Sequence, residues 1–182
     1  MKKRAIFNKE LWQSFLALAG HFLKSLNSQR IRGEDFFTEG AYQEFKKRIE
    51  GLTQEAPAIW GTMRVEHMLR HVNLSIGCGQ GLYILPDESY LLSRTLIKWM
   101  VIDWYNEQPK GLRLPLSMVI QPDERFDFET EKNRLLVLLD SATSSRSQED
   151  WKPHCYFGKL SVKQWGKLCM LHLDYHLKQF SA

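Results

Sequence analysis

A chain of 182 residues with 43% hydrophobic and 25% charged residues is long enough to bury one core and too apolar to be disordered. Its net charge of +4 draws three charges from Lys2, Lys3 and Arg4, so the remainder is nearly neutral and offers no track for nucleic acid. The three cysteines, Cys78, Cys155 and Cys169, form no CxxC pair; their odd number argues against a disulfide framework and for a reducing compartment, with a Cys155–Cys169 contact left open.

The basic start followed by apolar residues has the outline of a signal peptide or anchor. The apolar run, Leu11 to Leu26, is interrupted by Gln13, Ser14, His21 and Lys24. It falls short of the roughly 20 apolar residues that cross a bilayer. Leu11, Phe15, Leu18, Phe22 and Leu26 recur at helical spacing, and Trp12, Leu16, Ala19 and Leu23 widen the stripe. The expectation is a soluble or interfacial helix in a segment 1–35, appended to a domain 36–182. Localisation is expected to be cytoplasmic, with membrane association through residues 11–26 as the alternative.

The next helix is expected from Thr38, as cap, to Leu52, with Tyr42, Phe45, Ile49 and Leu52 inward. After Thr62, a second cap candidate, a helix over Met63–Ile76 presents Val65, Met68, Leu69, Val72 and Ile76, and Gly77, Gly79 and Gly81 read as its stop. His71 lies on or beside that stripe, and His67, four residues earlier, can share its side. Ser89–Trp104 is apolar enough for a helix but lacks a polar face. Pro109, Pro115 and Pro122 make the following twenty residues extended or looped, long enough to cover one end of a site. A helix over Asp127–Thr143 points Phe128, Leu135, Leu138 and Leu139 inward and Glu129, Glu131, Lys132 and Arg134 mostly outward. A polar loop spans Ser141–Asp150. Ser161 and Gln164 form a capping box that starts a last helix, Ser161–Phe180. No strand alternation is strong, so the fold class is all-α.

That last helix carries His172 and His176 with Trp165, Cys169 and Phe180 near the same stripe. Side chains four apart on a helix stack on one face, about 5–6 Å apart at Cβ. Two buried imidazoles need partners, and a divalent metal held with a third ligand from a facing helix satisfies both. His71 is the best placed third ligand by face. The ordinary alternative is a set of hydrogen-bonded core histidines. The residues between the pair, Leu173, Asp174 and Tyr175, rule out the HExxH protease arrangement, and Asp174 points away from the histidine face. GCGQG at Gly77–Gly81 lacks the Lys-Ser/Thr of a phosphate loop. Asp123, Glu124, Asp127 and Glu129 read as a solvated cluster, and Cys169 as a buried structural thiol.

Four blocks carry a family resemblance. They are Trp60-Gly61-Thr62-Met63 with Met68-Leu69-Arg70-His71; His154-Cys155-Tyr156-Phe157-Gly158-Lys159-Leu160-Ser161; Trp165-Gly166; and His172 through Phe180. Over about Tyr42–Phe180 the chain resembles the DUF1569 family, within the DinB/YfiT-like metalloenzyme superfamily. The resemblance implies a DinB-like four-helix bundle with an extra N-terminal helix and a long inserted connection around Ser89–Trp104. It also implies a divalent metal on His71, His172 and His176, and histidine donors suit zinc, nickel, iron or copper. His154 matches a family motif in which Cys155 stands where proline is usual, and Tyr175 stands where the family's last motif often has a further histidine. His154 is therefore an acid–base candidate, with a loop-capping role slightly preferred. Superfamily relatives imply a transferase or hydrolase acting on a small molecule, with water or a low-molecular-weight thiol activated at the metal. The alternative is a non-catalytic binding module, the apolar first helix docking a partner or membrane surface. A homodimer is left open. The superfamily name suggests DNA-damage chemistry, but the charge pattern gives no support for nucleic acid.

Overall fold

The computed structural model describes residues 36–108, 110, 115–144 and 151–182. The expected apolar helix over 11–26 lies outside the described residues, as does most of the polar loop before Trp151. Helix α1, Glu39–Glu50, begins where expected: the Thr38 hydroxyl accepts from the Ala41 N–H at 3.3 Å. Glu39 in its first turn and Lys47 and Arg48 in its last complement the helix dipole. Its buried face carries Phe45 and Ile49.

Helix α2, Val65–Gly79, departs from expectation at both ends. Arg64 is its N-terminal boundary and makes no side-chain cap, so Thr62 does not start it. The helix also runs through Gly77 and Gly79 instead of stopping there. These glycines serve close approach: a Cβ would meet the Tyr83 ring at 2.5 Å from position 77 and the Trp151 ring at 2.6 Å from position 79. The stop is Gly81, whose φ of 77° is left-handed. Its N–H reaches Cys78 O at 3.1 Å and the Leu82 N–H reaches Gly77 O at 2.8 Å, the paired bonds of a Schellman ending.

Between α2 and the next α-helix, residues 91–104 coil with π-type segments at Ser93–Ile97 and Trp99–Trp104. The missing polar face is real. Ile97, Val101 and Ile102 are buried, while Leu91, Leu92, Leu96 and Trp99 are exposed. The proline-bearing stretch after Tyr105 has no long helix among its described residues, only a 3-10 turn at Leu116–Met118.

Helix α3, Phe128–Ser144, is capped by Asp127, whose carboxylate accepts from the Thr130 N–H at 2.8 Å. Leu135, Leu138 and Leu139 are buried as expected. Glu131 is not outward: it is only 4% exposed. Asn73, wholly buried on α2, donates to its carboxylate at 2.7 Å, and Arg134 pairs with it. A charged residue inside the interface is tolerated because it is hydrogen-bonded and paired.

Helix α4, Val162–Gln179, starts at the Ser161–Gln164 capping box. The four α-helices contact one another in a ring, α1 to α3, α3 to α2, α2 to α4 and α4 to α1. The segment Trp99–Trp104 packs on α4, and the 3-10 turn packs on α2. Inside the ring lie Ile49, Met68, Leu69, Leu135, Leu139, Trp165 and Leu177. Each such side chain contributes about 1.5–3 kcal/mol by leaving water. The described residues hold no β-strand, only one bridge between His154 and Gly158. None of their helices is long and apolar enough to cross a membrane.

Candidate metal centre

Helices α2 and α4 face each other with His71 on one and His172 and His176 on the other. Their rings form a near-equilateral triangle. Centroid separations are 4.9 Å for 71–172, 4.9 Å for 71–176 and 4.7 Å for 172–176. One ligand nitrogen from each lies within 4.8 Å of the others. The i, i+4 spacing accounts for the pair on α4, and the α2–α4 packing supplies the third.

The nitrogens turned away from the centre are all held. His71 Nδ1 donates to the Met118 carbonyl at 2.8 Å. His176 Nδ1 donates to Gln179 Oε1 at 3.0 Å, and the Gln179 amide is itself oriented by donating to Trp60 O at 2.9 Å. His172 Nδ1 meets the Ser75 hydroxyl at 3.0 Å. With Nδ1 protonated in His71 and His176, their Nε2 atoms present lone pairs. His71 Nε2 and His172 Nε2 are 2.9 Å apart.

Electrostatics favours the same state. Burial lowers the pKa of His71, against the opposing pull of the Met118 carbonyl. His172 is lowered well below its ordinary value, by burial first and then by its histidine neighbours. Burial and the nearness of His71 bring His176 down to about 3. Three neutral imidazoles with oriented outer nitrogens are the donor set that a divalent ion requires. The residues present therefore fit a metal.

His154 is not one of the trio, although its ring lies near enough to His172 to help lower that residue's pKa. It is buried, and its Nδ1 accepts from the backbone N–H groups of Tyr156 and Phe157 at 3.0 and 3.2 Å. Its main chain pairs with Gly158 in both directions at 2.9 Å, closing a turn that Gly158, with φ 67°, completes. Burial lowers its pKa to about 3. These contacts are those of a loop organiser. His67 is also separate from the trio, its Nε2 lying between the Arg64 guanidinium and the Glu124 carbonyl, 3.0 Å from the latter.

The supporting residues Ser75, Met118 and Gln179 were not foreseen. Ser75 lies four after His71 and Gln179 three after His176, so helical spacing carried a signal for both. Met118 carries none, because a backbone carbonyl from a loop has no sequence signature. Asp174 does point off the histidine face, onto Arg48 at 2.9 Å. Cys169 is buried, its thiol pushed up to about 12. Cys155 meets Cys78 rather than Cys169. The acidic residues Asp123, Glu124, Asp127 and Glu129 are exposed.

A family model described as a protein of unknown function, DUF1569, matches residues 37–182. No curated protein and no solved structure matches the chain.

Proposed function

The chain belongs to the DUF1569 family, and from that premise we propose that it is a metal-dependent enzyme of the DinB-like four-helix type, acting on a small molecule by transfer or hydrolysis. The observation that carries this reading is the convergence of His71, His172 and His176, each with its outer nitrogen held and its ring neutral. Bound there, a divalent ion would supply Lewis acidity, polarising a water, a low-molecular-weight thiol or a substrate carbonyl. Histidine donors suit zinc, nickel, iron or copper.

The chain's own residues do the rest. Met118 and Gln179 fix the tautomers of His71 and His176, so that the inner nitrogens are lone pairs before any ion arrives. Ser75 sets the ring plane of His172. Three protein donors leave coordination positions for a reactant, as in catalytic sites and unlike closed structural ones. No carboxylate joins the trio among the described residues, so the site brings no anionic ligand of its own. His154 organises the loop entering α4 and takes no step in this reading.

The test is metal content per chain for protein purified without a histidine tag. Wild type is expected to hold about one ion, and the His172→Ala/His176→Ala variant essentially none. A double variant that keeps full metal content would overturn the assignment. A screen of thiol transfer and ester or amide hydrolysis, run with and without chelator, then tests the reaction class.

A further inference from the structure

Seven residues beyond His71 on α2, two turns and about 10 Å along the axis, a second cluster lies apart from the histidines. Cys78 and Cys155 come into side-chain contact where the loop before α4 crosses the end of α2. Two backbone hydrogen bonds hold that crossing. The Lys152 N–H donates to Gly79 O at 2.7 Å, and the Glu88 N–H donates to Cys155 O at 2.8 Å.

Both cysteines line a cavity of about 790 Å³. Arg94, Lys98, Lys152 and Lys159 also line it, against one carboxylate, Asp87, which Arg94 already pairs at 3.1 Å. Glu88 does not line it and accepts from the Leu116 and Ser117 N–H groups at 2.8 and 2.7 Å, though its charge is near enough to Cys155 to oppose ionisation of that thiol. His154, which is also in the wall, is neutral. The cavity is therefore electropositive, with thiols in its wall.

The two thiols are not equivalent. The Cys78 S–H has two acceptors in reach, the Ser75 carbonyl at 3.2 Å and the sulfur of Cys155. Contact with the Cys78 thiol holds the pKa of Cys155 below its ordinary value, while the same contact and burial raise that of Cys78. Ser117 supplies a second donor toward Cys155, its hydroxyl having no other partner among the described residues. Cys155 is thus the nucleophile of the pair and Cys78 the resolving thiol.

We propose that Cys155 and Cys78 form a redox-active dithiol whose electropositive cavity admits an anionic low-molecular-weight disulfide as oxidant. The Cys155 thiolate attacks one sulfur of the disulfide RSSR. The S–S bond breaks, a Cys155–SR bond forms, and the departing RS⁻ takes up the proton that Cys155 released. Cys78 then gives up its proton and attacks the Cys155 sulfur, expelling a second RSH. The dithiol loses two electrons and one RSSR becomes two RSH. This inference does not rest on the metal reading, since the histidine trio does not line the cavity.

Reduced full-length protein is treated with oxidised glutathione, which is anionic, or with bis(2-hydroxyethyl) disulfide, which is neutral. It is then alkylated, digested and mapped by mass. Each rate is divided by that of the same chain unfolded in urea, which removes the intrinsic difference between the disulfides. The expected product is a Cys78–Cys155 cross-linked peptide with Cys169 still alkylated. The normalised rate is expected to be about 10-fold higher for oxidised glutathione at low salt, and to lose that advantage in an Arg94→Gln/Lys152→Gln variant. Cys78→Ser should stop at one glutathione on Cys155. Wild-type protein that yields no Cys78–Cys155 peptide, or takes glutathione on Cys169, would overturn the dithiol whether or not the variants fold. Equal normalised rates for the two disulfides would overturn the anionic selectivity.

Discussion

Single side chains decide the state of the candidate centre before any ion is present. Gln179 joins His176 to Trp60, and its loss frees one imidazole to rotate. Gln179→Ala is expected to weaken metal affinity about 10–100-fold while leaving the helical signal unchanged, measured by competition with a chromogenic chelator. Histidine burial also has a consequence for pH. In the unfolded chain a histidine titrates near 6.5, whereas His154 folded titrates at about 3. The unfolded state therefore binds more protons between those values, and stability falls as pH falls through that window. At pH 5 the penalty from His154 is up to about 2 kcal/mol. The urea midpoint of chelator-treated protein should drop from pH 7 to pH 5, and His154→Gln should lessen the drop. That window lies above the range in which the depressed carboxyls of Asp87 and Asp127 titrate. An unchanged midpoint would contradict the buried neutral assignment.

At the scale of the element, α2 organises the molecule. One helix carries His71 toward α4, Asn73 toward Glu131 of α3, and Cys78 toward the loop before α4. Its glycine-rich end makes this packing close. A methyl at Gly79 would press on the ring of Trp151 at 2.6 Å and that of Trp165 at 2.9 Å, both aromatic bodies with little freedom. Gly79→Ala is expected to destabilise by about 1–3 kcal/mol, the usual cost of overpacking, read from the thermal midpoint. The helix's better intrinsic preference for alanine, about 1 kcal/mol, is too small to reverse that sign.

For the whole molecule, joining two helices through one ion couples metal binding to folding. The trio spans α2 and α4, and an ion that binds only the folded chain stabilises it by mass action. At a hundred times its dissociation constant the gain is about 2.7 kcal/mol, or roughly 5–10 °C in a domain of this size. Calorimetry with and without added zinc should show that rise in wild type, its reversal by chelator, and its loss in His71→Ala. An equal rise in His71→Ala would mean that the ion binds elsewhere.

Much of this was legible from local pattern. The Thr38 cap, the Ser161–Gln164 box and the His172/His176 spacing depend on residues within one or two helical turns, and such signals need no knowledge of the fold. Even the inward face of α3 followed from periodicity, Glu131 excepted. What chain pattern could not supply was contact between distant segments. The Met118 carbonyl on His71, Glu131 beneath Asn73, and Cys155 against Cys78 join residues 47, 58 and 77 positions apart. The glycines of α2 show the same division. Their composition reads as a helix stop, and only the rings of Tyr83 and Trp151 show that two of them are instead the clearance that lets the helix continue. Sequence alone determined where α1 and α4 start and the apolar stripe that each helix buries, because backbone capping and side-chain periodicity act locally. Tertiary structure alone decided which buried polar groups meet, because packing chooses the partner that satisfies each one.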